Sequence, residues 1–370
     1  MREGRSTRMG EAVQQDERVY SLDHLPEGSG WTPQKLMKRL GLDPEKFEIT
    51  NVKVRGGHWG RPDDPNSQIR LEVSVRPIPE PFKFPDVTSW KPIPKPKKAK
   101  QAKGEPQKVI VLSDQHAPFH HKANHRLLCA FLEDEQPDRI ICAGDLLDFP
   151  DISRHRTIPG DRFDATVNEC LQAGYELLAD YRDAAPNAQI DLIPGNHDVR
   201  LAHKVIDQAE RLWDIRAAGD DVPALSLQKL LHLSRLHINY VDEADWKRAK
   251  VQINSRLTVR HGHSTKKHPG PTLLQALSGS TIQGHSHRAS TYYSTAHGLD
   301  GPEFRVAAET GCLCEIEDGL GYATEADWQP GFLRVLTWGE DFLISNCMFL
   351  TDPARLLIPD GRRYQDKGAK

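Results

Sequence analysis

No stretch of about 18 consecutive apolar residues occurs in the 370-residue chain, so no helix long and apolar enough to span a membrane is expected. The first twenty residues, MREGRSTRMGEAVQQDERVY, also lack the apolar core of a secretory signal. A cytoplasmic protein without a membrane partner is the expectation. Cysteine is sparse: there are six, with no CxxC pair. Neither a disulfide framework nor a zinc site of paired thiolates is expected, and Cys312 and Cys314, two apart in a predicted strand, are read as packing residues. Apolar residues at 38% and charged residues at 27% describe a globular, rather polar chain, long enough for about two domains.

Charge is unevenly spread. Residues 1–108 hold 21 Lys and Arg against 15 Asp and Glu, whereas residues 109–370 hold 28 against 37. A basic front piece on an acidic body points to an anionic partner near the N-terminal part. Residues 1–30 read as a disordered tail. Residues 31–76 read as a small α+β unit: Thr32-Pro33 starts a helix, Gly41 ends it, and Ile69, Leu71, Val73 and Val75 alternate as a half-buried strand. Residues 77–108 carry eight prolines and, in KPIPKPKKAKQAKGEPQK, seven lysines, so they read as an extended, solvated linker. The body is expected over 109–350 and a polar C-terminal tail over 351–370.

The body opens on the apolar strand Val109–Leu112, followed by a helix near 122–135, a strand over 139–143, a helix near 164–184 and a strand over 189–193. This β-α-β-α-β order predicts a parallel sheet with right-handed crossovers. Ligands of such sheets gather at the carboxyl ends of the strands. Each predicted strand here ends in groups suited to metals: Asp114-Gln115-His116, Gly144-Asp145-Leu146-Leu147-Asp148, Gly195-Asn196-His197-Asp198, His261-Gly262-His263 and Gly284-His285-Ser286-His287. One such word is weak evidence. Five in order, each at a predicted strand end, are a strong joint signal.

DQH, GDLLD, GNHD, HGH and GHSH in this order resemble the calcineurin-like metallophosphoesterase superfamily, over about 108–350. The resemblance implies a four-layer α/β/β/α sandwich and two divalent metal ions at the sheet edge. It implies Asp114, His116 and His287 on one ion, Asn196, His261 and His285 on the other, and Asp145 bridging both. It further implies His197 as a catalytic residue above the metals, Asp198 orienting His197, and Asp148 behind the ligands. Imidazoles, carboxylates and one amide oxygen without a thiolate suit Mn²⁺, Fe or Zn²⁺ and are too rich in nitrogen for Mg²⁺ or Ca²⁺. Mn²⁺ is the first expectation. Two such ions can clamp a phosphoryl group for in-line attack.

Other polar residues have weaker claims. His263 shares a face with His261, Arg154 follows the GDLLD turn, and Arg288 follows the last imidazole. Each is either a substrate or supporting contact or an ordinary surface residue. His120 and His121 are expected at the surface, and residues 271–277 as a short packing helix. Protein phosphatases of the superfamily usually carry Arg directly after GDxxD, where this chain has Phe149. GDLLDF and GNHD look more like the repair-exonuclease and small phosphodiesterase branches, and Asp327-Trp328-Gln329-Pro330-Gly331-Phe332 resembles a segment of phage-encoded members. The expected activity is hydrolysis of phosphodiesters, with DNA or RNA as the partner. The alternatives are a phosphomonoesterase on a small metabolite and a metal-stabilised binding protein without turnover. No protein partner is indicated.

Overall fold

A computed structural model describes residues 18–26, 32–44, 46–59, 68–77, 92–97, 104–154, 163–243, 245–264, 269–276, 279–298, 301–321, 323, 326–351 and 353–366. The chain divides into a front unit of residues 1–87 with 158–164 and a body of residues 88–157 and 165–370.

The front unit contains β1 (Arg18–Pro26), α1 (Pro33–Leu40), β2 (Phe47–Trp59) and β3 (Gln68–Pro77). The three strands form an antiparallel sheet in the order β1-β3-β2. Thr32 caps α1 by accepting from the Lys35 N–H, and Gly41 closes the helix in the left-handed region at φ 68°. Leu36 and Met37 are buried with Leu71, Val73 and Val75 of β3. Assignment of all of residues 1–30 to a disordered tail is therefore corrected: 18–26 pair with β3, with Tyr20 and Leu22 packing on the same core. The linker reading is also corrected in part. Ile93, the apolar residue among the prolines, packs against the body's core, and its carbonyl lies 2.9 Å from His237 Nε2. The remaining linker positions, other than 77, 92–97 and 104–108, lie outside the described residues.

The body's first half is β4 (Gln107–Leu112), α2 (Lys122–Glu135), β5 (Arg139–Cys142), α3 (Val167–Ala184), β6 (Gln189–Leu192), α4 (Arg200–Trp213), α5 (Leu227–Leu230) and β7 (Ile238–Tyr240). The second half is β8 (Lys250–Gln252), β9 (Leu257–Arg260), α6 (Pro269–Ala276), β10 (Ser280–Gln283), β11 (Ala289–Gly298), β12 (Gly301–Thr310), β13 (Gly331–Trp338), β14 (Asp341–Thr351), β15 (Ala354–Leu357) and β16 (Arg363–Gln365). One sheet has the order β16-β15-β14-β13-β4-β5-β6-β7, parallel from β4 to β7 and antiparallel beyond. The other has the order β11-β12-β10-β9-β8, with β9, β10 and β12 parallel.

The alternation of side chains fixes the layers. Ile110, Leu112, Ile140, Ile190 and Leu192 face the core shared with Leu128, Phe131, Leu178 and Tyr181 of α2 and α3. Val109, Val111 and Ile141 face the other way, onto Leu257, Val259 and Ile282 of the second sheet. Helix α6 lies against β10, β11 and β12. This mixed α/β sandwich has the layered architecture expected. The polar C-terminal tail does not hold as expected, because β15 and β16 extend the large sheet. Leu356 and Ile358 are buried, and Arg362 pairs with Glu135 of α2 at 2.6 Å. The turn at Asp360-Gly361 was the overlooked sign of a hairpin. Among the described residues no helix is long and apolar enough to cross a membrane.

Candidate metal centre

The parallel strands β4, β5 and β6 release their chains at one edge of the large sheet, and β9 and β10 release theirs from the second. The backbone then bends sharply. Asp114, His116, Asp145, His285 and His287 all have positive φ, between 48° and 66°. Left-handed backbone is uncommon for residues other than glycine, and its strain is typically concentrated at functional sites. Here it turns the side chains inward. Two glycines allow the loops to approach: a Cβ at Gly195 would collide with Asp145 Oδ1, and one at Gly284 with Ser113 Oγ.

Two donor groups result. In the first, Asp114, His116 and His287 place ligand atoms within 4.8 Å of one another. His116 Nε2 lies 3.1 Å from His287 Nε2, and His287 Nε2 lies 3.3 Å from Asp114 Oδ1. In the second, Asp145, His261 and His285 converge in the same way. His261 Nε2 is 3.2 Å from Asp145 Oδ2 and 3.1 Å from Asn196 Oδ1. Each carboxylate has one oxygen pinned and one turned inward. The His285 N–H donates to Asp114 Oδ2 at 2.9 Å, and the His197 N–H to Asp145 Oδ1 at 2.8 Å. Asp145 Oδ2 stands 3.9 Å from His116 Nε2 as well as 3.2 Å from His261, so it faces both groups.

The donor set fits divalent metals. Asp114 Oδ1 is buried without a hydrogen-bond partner. The outer ring nitrogens are tied back, His116 Nδ1 to Asp148 Oδ1 at 2.9 Å and His261 Nδ1 to the Ala143 carbonyl at 2.8 Å, so the Nε2 atoms converge. Such outer partners hold metal-ligating imidazoles in the required orientation and tautomer. The electrostatics agree. Burial opposes charge on His116, but the neighbouring carboxylates of Asp114 and Asp148 outweigh it and raise its pKa to about 10. Burial likewise opposes charge on His261, and Asp145 raises its pKa to about 9. Burial would raise Asp114 and Asp145, yet the surrounding imidazoles hold both below the ordinary carboxylate range. His285, pressed by burial and by His261, is lowered to about 4. The cradle is one that draws cations.

His197, Asp145, Asn196, His285, His287, Arg288 and Trp328 line a cleft of about 200 Å³ over these groups. The His197 ring stands edge-on to His116, with centroids 4.6 Å apart. Its orienting carboxylate is not the expected one. Asp198 accepts from the backbone N–H groups of Leu147 at 2.9 Å and Gly195 at 2.8 Å, holding the two loops together. Asp148 takes the orienting position, with Oδ1 2.7 Å from His197 Nδ1. The cause is the turn after β5, which brings the second Asp of GDLLD between two imidazoles. Arg200, which sequence reasoning missed, donates to the Asp148 carbonyl at 2.6 Å and reaches His197 Nε2 at 3.0 Å. Because an arginine can only donate, His197 Nε2 accepts here and Nδ1 carries the proton. Burial lowers the His197 pKa, consistent with a neutral ring.

Arg288 reaches the cleft and pairs with Asp327 at 3.3 Å. Arg154 and His263 are exposed and do not line it. Two indoles flank the donors. Trp328 meets His287 edge-on at 4.1 Å, and Trp246 lies 5.7 Å from His261. Nothing in the spacing of Arg200 or Trp246 could have flagged them. Arg200 could have been found only as the cation next to GNHD at a helix start.

The calcineurin-like phosphoesterase family profile matches residues 107–303. The Gene 54 protein of Mycobacterium phage D29 is 30% identical over 240 residues, covering 61% of this chain and 87% of that one. The Gene 54 protein of Mycobacterium phage L5 is 24% identical over 247 residues, covering 63% and 90%. Among solved structures, Chaetomium thermophilum Vps29 is similar with a TM-score of 0.36 and 13% identity, over 71% of this chain and 97% of that one. PhoD is similar with a TM-score of 0.36 and 9% identity, over 75% and 74%. The profile spans more than half of the chain, and the chain belongs to the calcineurin-like phosphoesterase family, whose members are metal-dependent phosphoester hydrolases.

Proposed function

We propose that this protein hydrolyses phosphodiesters, nucleic acid among them, at a two-metal centre. Asp114, His116 and His287 would hold one ion, and Asn196, His261 and His285 the other. The observation that carries the reading is Asp145 Oδ2, turned toward both donor groups as a bridging ligand must be. Mn²⁺ is the proposed metal, with Fe and Zn²⁺ admitted by the same nitrogen-and-oxygen donor set. Bound there, the two ions supply Lewis acidity and a water activated near neutral pH.

The chain's own residues do the rest. Arg200 and Arg288 offer guanidinium groups to the substrate's phosphoryl oxygens. A phosphate that draws Arg200 away frees the His197 Nε2 lone pair, and a proton taken up there from solvent, with Nδ1–H still held by Asp148, can be passed to the leaving oxygen. Asp148 keeps the His197 ring aimed throughout. Phe149, fully buried, contributes no cation where the protein phosphatases have Arg, which favours a singly charged diester over a monoester dianion. Trp328 and Trp246 offer ring faces on which bases can stack, and the basic front piece supplies phosphate contacts.

The test compares bis-p-nitrophenyl phosphate with p-nitrophenyl phosphate in metal-loaded protein, followed by single-stranded DNA and RNA. Diester preference and cleavage of a polynucleotide are expected. Preference for the monoester would replace this reading with a phosphomonoesterase.

A further inference from the structure

Between helices α2 and α3 lies a second set of donors that phosphoester hydrolysis does not use. His125 and Cys129 are one turn apart on the same face of α2, and Asp180 faces them from α3. Asp180 Oδ2 is 2.8 Å from His125 Nε2, and Cys129 Sγ is 3.6 Å from the same nitrogen. All three ligand atoms lie within 4.8 Å of one another.

The composition invites comparison with a cysteine–histidine–carboxylate relay, but the geometry is wrong for one. In a relay the carboxylate holds the ring nitrogen opposite the nucleophile. Here thiol and carboxylate meet at Nε2, while Nδ1 is buried with no hydrogen-bond partner. Burial also raises the Cys129 thiol to about 12, so it is not a ready nucleophile. Convergence of sulfur, nitrogen and oxygen on one point is instead what a metal ion requires. Tetrahedral Zn²⁺ with bonds of about 2.1 Å to nitrogen and 2.3 Å to sulfur sets those two atoms about 3.6 Å apart, and 3.6 Å is observed. Only Asp180 has to withdraw, by roughly 0.5 Å on the same geometry, and its side chain is 56% exposed and free to do so. His120 stands beside the group. Its ring centroid is 5.6 Å from that of His125, and its Nδ1 is buried and unpartnered.

We propose that His125, Cys129 and Asp180 form a second, thiolate-containing transition-metal site, suited to Zn²⁺, that staples α2 to α3, with water in the fourth position. The thiolate sets it apart from the first centre, whose seven proposed ligands include no sulfur although Cys312 and Cys314 lie beside His287, and selects Zn²⁺ over Mg²⁺ or Ca²⁺.

Co²⁺ titration of the metal-stripped, full-length chain tests this, because only a thiolate ligand gives a sulfur-to-cobalt charge-transfer band in the near ultraviolet. The band is expected in the wild type and in Asp145→Asn, which touches only the first centre. It should be absent in Cys129→Ser, persist in Cys314→Ser, and need roughly tenfold more Co²⁺ or beyond in His125→Gln and Asp180→Asn, as loss of a ligand or its orienter does elsewhere. Cys314→Ser is included because Cys314 Sγ lies 3.9 Å from His287 Nδ1. Absence of the band from the wild type, or its survival in Cys129→Ser, would overturn the proposal. Circular dichroism of each variant confirms folding, and His125→Gln and Asp180→Asn decide the matter should Cys129→Ser not fold.

Discussion

Replacing Asp148 by Asn separates this centre from the arrangement expected from sequence. Asp148 Oδ1 accepts from His116 Nδ1 at 2.9 Å and from His197 Nδ1 at 2.7 Å. Asparagine keeps the shape and an acceptor oxygen but removes the charge. A hydrogen bond to a charged group contributes about 1 kcal/mol more than a neutral one, so the two bonds together lose about 2 kcal/mol. Each 1 kcal/mol is about fivefold in a rate or an equilibrium. The His197 share should lower kcat about fivefold at saturating metal, and the His116 share should weaken metal binding about fivefold. At limiting metal the two combine to roughly 30-fold. Steady-state hydrolysis of a diester with a poor leaving group across a Mn²⁺ series reads both shares. Asp198→Asn is the control: its carboxylate holds backbone N–H groups of Leu147 and Gly195, so thermal stability should fall while dependence on the leaving group stays unchanged. Wild-type kinetics in Asp148→Asn, or a changed leaving-group dependence in Asp198→Asn, would refute the assignment.

His197→Ala should retain both metals and lose about 10²–10⁴-fold in rate on a diester with a poor leaving group, but much less on a p-nitrophenyl ester; an equal loss on both would make His197 a positioning residue for Arg200. Arg200→Met should lower kcat/KM on diesters by about 10–100-fold, the worth of a charged hydrogen bond, with metal content by mass spectrometry unchanged, and a loss of metal would place its role elsewhere. Burial depresses the His120 pKa from 6.5 to about 3. Its contribution to stability is therefore full above pH 6.5 and is lost as pH falls toward 3, at about 1.4 kcal/mol per unit. In metal-free protein His120→Phe should flatten the acid limb of a stability–pH curve measured by urea unfolding, and an unchanged slope would count against burial as the cause.

The strand-end words were legible because three parallel strands of one sheet and two of the other must release their loops at their carboxyl ends, wherever the exact boundaries fall. That places Asp114, Asp145, His197 and His285 near one another on sequence alone. Less accessible was how the side chains converge. The left-handed backbone at Asp114, His116, Asp145, His285 and His287 is imposed by close loop contacts, and local propensity disfavours it. The exchange of roles between Asp148 and Asp198 has the same origin. Both are acids after tight turns, and only the three-dimensional path decides which meets an imidazole and which meets backbone N–H groups. Arg200 was missed because a cation in the first turn of a helix reads as solvated. The strands β1, β15 and β16 were missed because short edge strands rich in charge look like tails. His125, Cys129 and Asp180 come from two helices 51 residues apart in sequence, from Cys129 to Asp180, and no motif links them.

Sharing of the Asp145 carboxylate between two metal-binding groups is read by metal stoichiometry together with turnover in Asp145→Asn. Metal-stripped protein would be reloaded with Mn²⁺, its bound Mn²⁺ counted by mass spectrometry, and its hydrolysis of bis-p-nitrophenyl phosphate followed at matched metal. Wild-type chain is expected to hold two Mn²⁺ and to turn over. Asp145→Asn is expected to keep its fold, lose occupancy, and fall in rate by orders of magnitude. Two tightly held ions and wild-type turnover in Asp145→Asn would contradict it.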